Sequence, residues 1–483
     1  MKIVLNEKIG RTYIQALCMM FFHGIKFPLN DENTDNMELY VDATEKENGI
    51  FCKATFKINN KEESAEAFRL LNDKDSLEKT YKKVALRAVF LAGRKITGKE
   101  LEWGILTGIR PSKVAQDLLE ELDLEEAKQI LKDEYFLSES KANLVLDVAK
   151  YENEITKSTS FNECSVYISI PFCPSRCAYC SFISYAGKKL FSLIPDYLTR
   201  LMLDIENTSK IIKENGLSVA SIYIGGGTPT ILDDKQLKDL LTKISECFDV
   251  NSLREFTLEG GRPDTITDQK LKIAKEYGVT RISVNPQTLN DDVLALIGRH
   301  HTANDFFDAY SKVAKSGINH INTDLIAGLD GDSFESFAST VDKILELSPS
   351  NITVHSFCVK KSAQILEDDK TVYERESSYA KNSVEYAYKR LIENGYVPYY
   401  MYRQKNTVEN LENVGYAKKD ALGLYNVFMM CDSHSVFGIG AGATTKLVKK
   451  DSIERIFSPK YPYEYLRENQ NIKDKVREFF EKE

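Results

Sequence analysis

The chain has 483 residues, 42% of them apolar and 28% charged, with a net charge of −8. That length exceeds one typical core and implies two or three domains, and the acidic balance argues against a nucleic-acid partner held by a basic surface. The opening MKIVLNEKIGRTY lacks the apolar core of a signal peptide, no apolar run is long enough to span a bilayer, and nine cysteines without a secretion signal fit a reducing, cytoplasmic setting.

Residues 1–160 read as a small N-terminal α/β accessory domain. Tyr13, Ile14, Leu17, Phe21 and Phe22 recur at helical spacing, so the first helix buries one face. Met37, Leu39 and Val41 alternate with polar neighbours, as do Ile50, Cys52, Ala54 and Phe56, and a Glu-Asn-Gly turn between them predicts a hairpin. Tyr81, Val84, Ala88 and Leu91 mark a second amphipathic helix. Short acidic helices follow, with Leu144, Val145 and Val148 on the last apolar face. In TGIRPSK, Gly108 punctuates and Pro111 opens a helix. His23 and Trp103 read as packing residues, and ENEITKSTSFNE reads as the linker.

From Val166 the pattern becomes strand, loop and helix, repeated. VYISI, SIYIG, EFTLE, RISVN, INTDLI and ITVHSF are short, apolar and β-branched, and Tyr197, Leu198, Leu201, Met202 and Ile205 share one face of the first intervening helix. Strands alternating with helices predict a parallel sheet. Six units fit an open (βα)6 partial barrel over 161–375 better than a closed eight-stranded one. Residues 376–483 then form an α-rich extension on the substrate side. In parallel barrels the chemistry gathers at the C-terminal ends of the strands.

Cys173, Cys177 and Cys180 follow the first of these strands at C-x3-C-x2-C spacing. Three thiolates on one tight loop suit an iron–sulfur cluster with one iron left open to a small molecule. Structural zinc would want a fourth ligand, usually in a second pair. Idle buried thiols are the bland alternative, and two prolines and Arg176 in the loop speak against it. Gly225, Gly226 and Gly227, with Thr228 and Pro229, follow the second strand and let backbone pass close to a ligand. Glu259, Gln287 and Asp324 end the third, fourth and fifth strands, and Arg299 lies one helix later in IGRHHT. One polar residue at a strand end is usually a solvated cap; four around one rim point to ligand binding. His300 and His301, being adjacent, face different ways and are not expected to act jointly. GIGAGATT suggests a backbone cradle without the Lys-Ser of a phosphate loop. PYYMYRQKN sets aromatics beside Arg403 and Lys405, which suits either a flat anionic ligand or core packing.

The cysteine spacing, with Tyr179 just before the third cysteine, resembles the radical S-adenosylmethionine (SAM) superfamily. YISIPFCPSRCAYCSF, GGGTPT, TLEGGRPD, RISVNPQTLN, GRHHT, NTDLIAGL and NITVHSFCVK, between Ser165 and Lys446, together resemble the oxygen-independent coproporphyrinogen III oxidase family, which includes haem chaperones. The N-terminal domain, TGIRPSK and YYMYRQKN are similar to its Gram-positive coproporphyrinogen dehydrogenase branch. The resemblance implies a 4Fe-4S cluster on Cys173, Cys177 and Cys180. It implies SAM contacts at Tyr167, Tyr179, Gly226, Gly227, Thr228, Glu259, Gln287, Arg299 and Asp324, with further contacts at Cys358 and Thr444. The implied reaction converts coproporphyrinogen III propionates to vinyl groups, giving protoporphyrinogen IX. A SAM-derived radical, rather than a protein side chain, does the hydrogen abstraction, and a flavodoxin or ferredoxin supplies the electron in a low-oxygen cell. Arg403 and Arg110 are candidate partners for the substrate carboxylates. Two departures bear on the substrate: Phe182 stands where the established oxidases carry a fourth cysteine, and GGRPD replaces a shorter turn after Glu259. A haem chaperone without oxidase activity and a haem-opening radical SAM methyltransferase therefore remain alternatives.

Overall fold

The computed structural model describes residues 1–22, 25–28, 36–71, 76–180, 188–358, 378–404, 407–449, 452–467 and 472–481. Two compact units emerge, one formed by Met1–Ala149 and the other by Lys150–Val372 with Ser377–Glu483. His23, Phe182 and Lys405 lie outside the described residues.

The first unit is built on a sheet in the order β1 (Lys2–Leu5), β2 (Met37–Lys46), β3 (Gly49–Ile58), β4 (Lys61–Leu70). The alternation in β2 and β3 puts Met37, Leu39, Val41, Ile50, Cys52, Ala54 and Phe56 on the buried face, as expected. The turn joining them has Asn48 at φ +63°, a left-handed position that asparagine tolerates. The helices Arg11–Phe21 and Leu77–Thr97 pack on each other, and the second covers β3 and β4. Ser76 caps that helix by accepting a hydrogen bond from the Lys79 amide, and Gly98 ends it at φ +67°. Pro111 opens the helix Pro111–Leu119, and Trp103 is buried as a packing residue.

The expected linker is half helix. The helix Glu139–Lys157 runs through ENEITK because Ile155 is buried among Ala220, Tyr399, Val427 and Phe428. The hydroxyls of Ser158 and Thr159 both donate to the Ile155 carbonyl and close the helix end.

The second unit carries an eleven-stranded sheet. Its centre is six parallel strands in sequence order: β5 (Glu163–Ile170), β6 (Ser218–Gly226), β7 (Glu255–Glu259), β8 (Arg281–Ser283), β9 (His320–Ala327) and β10 (Asn351–Ser356). These are the six expected strands of the open barrel. The C-terminal extension brings the expected helices (Ser378–Glu393, Leu424–Met430, Pro462–Arg467 and Ile472–Glu481) and also five strands that lengthen both edges of the sheet. Strands β11 (Val397–Arg403) and β12 (Glu412–Ala417) add antiparallel beside β10. On the other side β13 (Ser435–Ile439) runs parallel to β5, followed by β14 (Thr444–Lys449) and β15 (Ser452–Phe457). Tyr399, Tyr400 and Met401 of β11 are core residues, so packing accounts for most of the PYYMYR run. GIGAGATT is the end of β13 and the turn into β14. Its backbone is already engaged, Ala441 N–H donating to the Tyr197 hydroxyl at 2.9 Å and Gly442 N–H to the Pro459 carbonyl at 2.8 Å.

Candidate active site

The cysteine loop leaves β5 and lies against the glycine motif at the end of β6. Gly227 N–H donates to the Ile170 carbonyl at 2.8 Å, and Thr228 N–H to the Phe172 carbonyl at 2.8 Å. A Cβ on Gly227 would stand 2.5 Å from the Phe172 carbonyl oxygen, so only glycine allows this approach. Thr228 Oγ1 sits 3.2 Å from Cys173 Sγ. On the far side, Ala178 N–H donates to the Ile297 carbonyl at 3.0 Å and Ser175 Oγ to the Gly298 carbonyl at 3.2 Å. Those bonds bring Arg299 under the loop, where Nη1 donates to the Tyr179 hydroxyl at 3.2 Å and Nη2 to the Gly261 carbonyl at 3.0 Å. Cys173 and Cys177 are buried and Cys180 is half-buried. Among the described residues no three ligating side chains already converge in metal-holding geometry; Cys173 is held by Thr228, and Cys177 faces Arg262 Nη1 at 3.7 Å.

The polar rim follows the strand ends. Glu259 closes β7, accepting from the Tyr223 hydroxyl and from Gly226 N–H at 3.2 Å. Burial pushes its carboxyl up to about 7, with the Asp324 charge adding to the rise, although one edge stays open to solvent. Asp324 sits inside β9 rather than at its end, because the strand continues to Ala327. Asn285 Nδ2 donates to it at 2.7 Å and Asn322 Nδ2 at 2.8 Å. Burial alone would raise its carboxyl, but His355, Asn322 and Thr353 outweigh that and hold it below the usual range.

Gln287, just beyond β8 and one strand along from Glu259, has φ +70°. Its backbone bonds to β9 on both sides of Leu325: its N–H donates to the Asp324 carbonyl at 3.1 Å, and its carbonyl accepts from Ile326 N–H at 2.9 Å. Its side-chain Oε1 is buried without a hydrogen-bond partner, an acceptor awaiting a donor. Tyr167 of β5 and Tyr223 of β6 stack with ring centroids 6.1 Å apart, and Tyr425 covers both at 6.0 and 4.4 Å.

Tyr425 escaped the sequence reading. It opens the helix Leu424–Met430, whose first amides donate to the Glu255 carboxylate at 2.8 and 3.3 Å. Nothing local in the sequence marks Tyr425, since the helix is placed by Glu255, a buried acid 170 positions away. Cys358, just after β10, bridges to Thr407, and Thr444 begins β14 beside β13, so both lie on outer parts of the same rim. His300 is exposed and His301 buried, as adjacency suggested. Burial and the charges of Arg299 and Arg262 push His301 down to about 4, so it is neutral at physiological pH. Arg403 is buried, donates to the Asn410 carbonyl at 3.0 Å and is lowered to about 10 by burial, which places its head in the protein rather than in an open site. Among the described residues of that run, Tyr402 reaches the rim, its hydroxyl 3.4 Å from His355 Nδ1. Arg110 lies in the first unit, at the start of a helix and 3.3 Å from Gln116 Oε1.

Residues 167–344 match the radical SAM superfamily. The chain is 35% identical over 391 residues to the oxygen-independent coproporphyrinogen-III oxidase-like protein HemZ of Bacillus subtilis, covering 80% of this chain and 78% of that protein. The chain belongs to the oxygen-independent coproporphyrinogen III oxidase family. It is also 32% identical over 285 residues to the heme chaperone HemW of Lactococcus lactis, covering 58% of this chain and 69% of the chaperone. Coproporphyrinogen III oxidase (HemN) of Escherichia coli shares the fold, with a TM-score of 0.52 over 68% of this chain and 73% of that one at 20% identity. As a radical SAM protein the chain takes a 4Fe-4S cluster and SAM. The residues at hand fit both: three cysteines on one loop, a backbone cradle that a Cβ at Gly227 would fill, and the orphaned acceptor of Gln287. No helix among the described residues is long and apolar enough to cross a membrane.

Proposed function

We propose that the protein is an oxygen-independent coproporphyrinogen III oxidase, converting two propionate side chains of coproporphyrinogen III to vinyl groups. The observation that carries this reading is the extent of likeness to the oxidase-like HemZ: 391 residues, well beyond the 167–344 segment common to the superfamily. On this reading 1–160 is an accessory domain, 161–375 the catalytic partial barrel and 376–483 the substrate-side extension. Cys173, Cys177 and Cys180 hold the cluster. Tyr167, Tyr179, Gly226, Gly227, Thr228, Glu259, Gln287, Arg299 and Asp324 hold SAM, with Cys358 and Thr444 at the margin.

When bound, cluster and SAM supply one electron and a 5′-deoxyadenosyl radical able to take a hydrogen atom from a propionate β-carbon. The protein's own part is positioning and exclusion of water. Glu259 and Gln287 offer oxygens to the donors of SAM, Asp324 accepts from a hydroxyl or ammonium, and the Tyr167–Tyr223–Tyr425 stack gives one apolar wall. A flavodoxin or ferredoxin is the proposed electron source.

The second reading is a haem chaperone that keeps cluster and SAM but oxidises nothing. It is favoured by the HemW relatives and by Phe182 in place of a fourth cysteine. Coproporphyrinogen III deuterated at the propionate β-carbons separates the two. The oxidase reading expects deuterium in the 5′-deoxyadenosine recovered after anaerobic turnover; unlabelled 5′-deoxyadenosine with intact substrate would leave the chaperone.

A further inference from the structure

The GGRPD loop after Glu259 has a job that neither the motifs nor the SAM site absorbs. Gly261 turns the chain at φ +59°, and Pro263 opens a single 3-10 turn whose Thr265 hydroxyl donates to the Arg262 carbonyl at 2.9 Å. The turn drives Arg262 inward until it is 3% exposed. One edge of its guanidinium is taken by Asp264, with Nε 3.1 Å and Nη2 3.5 Å from the carboxylate oxygens. The other edge faces the cysteine loop, Nη1 lying 3.1 Å from Ser175 Oγ and 3.7 Å from Cys177 Sγ. A buried cation is costly unless its donors are matched. Here one carboxylate fixes the fork, and the remaining N–H is aimed at a sulfur. Arg299, the other buried guanidinium nearby, spends its donors on Tyr179 and two carbonyls and reaches no sulfur by a hydrogen bond.

We propose that Arg262 is a positioning and tuning residue for the cluster, donating an N–H···S hydrogen bond to the Cys177 thiolate and raising the cluster's reduction potential. Reduction adds one electron, from an external one-electron donor, and makes the cluster more negative by one charge. A fixed cation with a hydrogen bond to a ligand sulfur stabilises that reduced form more than the oxidised one. Asp264 aligns the fork and offsets part of its charge. The residue thereby eases delivery of the electron that the family's chemistry requires.

The proposal rests on the cluster assignment, and the test separates the two. Full-length wild type, R262Q, R262K and R254Q are reconstituted anaerobically, iron is counted, and the midpoint potential is read by EPR during dithionite titration without SAM. Arg254 precedes β7 at the opposite end of the strand, where it donates to the Ser158 carbonyl at 3.2 Å. Wild type should hold about four irons. R262Q should fall in midpoint by about 60 mV or more, a tenfold change in a one-electron equilibrium. R262K, which keeps the charge but not the fork, should fall by less than half as much, and R254Q should not move. If R262Q loses iron while R262K keeps it with an unmoved midpoint, the contact acts in ligand retention rather than in tuning, and the proposal is overturned. Full iron with an unmoved midpoint in R262Q, or equal iron loss from both Arg262 variants, overturns it. A wild type that binds no iron removes the cluster assignment and the proposal with it.

Discussion

Glu259 and Asp324 stand two strands apart in the same sheet, with β8 between them, yet their surroundings push them in opposite directions. Glu259 is raised from its ordinary 4.5 to about 7, mainly by burial. Asp324 is surrounded by amide donors and His355 and stays low. A carboxyl with a raised folded-state pKa binds its proton more tightly folded than unfolded, so Glu259 costs stability increasingly as pH climbs from 4.5 to about 7. An incoming ammonium would displace that proton. SAM affinity is therefore expected to strengthen from pH 6 to pH 8 with release of a proton, measured by calorimetry in buffers of differing ionisation enthalpy; a flat profile in wild type would count against Glu259 as the ammonium acceptor. Asp324→Ala removes an acceptor and strands the Asn285 and Asn322 amides. The expected cost is about 1.5–3 kcal/mol, tenfold or more in SAM affinity, and unchanged binding would show that the rim does not hold SAM through this residue. Arg262 and Tyr425 could not be read from sequence as site residues, because each acquires its contact from a residue at least 85 positions away. The cysteines could be read, since their chemistry is local to one loop.

The six parallel strands were legible because each is a short β-branched run that stands out from the amphipathic helices around it. Strand β4 was not: KEESAEAFRL buries only Ala65 and Ala67, and an edge strand with one thin apolar face looks like loop. Strands β11 to β15 were hidden differently. Those of β11 to β13 are largely buried on both faces and mix aromatics and glycines with polar residues, the Tyr400 ring lying over Gly415, whereas SIERIF of β15 is almost wholly exposed and reads as loop. In the linker one buried residue, Ile155, carries the helix through a polar run that otherwise reads as loop. The element on which the site depends most is the junction of the β5 loop with the end of β6. Gly227→Ala would force a Cβ against the Phe172 carbonyl, and backbone cannot step aside as a flexible side chain can. The expected loss is about 1–3 kcal/mol, seen as a lower Tm, together with a shortfall in iron after reconstitution. A Gly227→Ala protein with the wild-type Tm and full iron would show that the two loops are not tightly joined.

At the scale of the whole molecule, the open barrel and its SAM chemistry are widely shared, and substrate choice lies in what surrounds them. The sequence exposed the shared part through contiguous motifs. It was silent on the substrate because no contiguous motif marks a substrate contact, and because Arg403, the sequence candidate for a carboxylate partner, is turned into the protein. Likeness to HemZ over most of the chain favours an oxidase, and likeness to HemW keeps a carrier in contention. An oxidase must couple SAM cleavage to its substrate, whereas a carrier has no abstractable hydrogen to couple. The decisive measurement is the anaerobic rate of 5′-deoxyadenosine formation, with carbon dioxide followed in parallel, in the presence of coproporphyrinogen III or of haem. The oxidase account predicts that coproporphyrinogen III accelerates cleavage and that carbon dioxide appears in step with it; cleavage indifferent to coproporphyrinogen III, with haem bound stoichiometrically and unchanged, would contradict it.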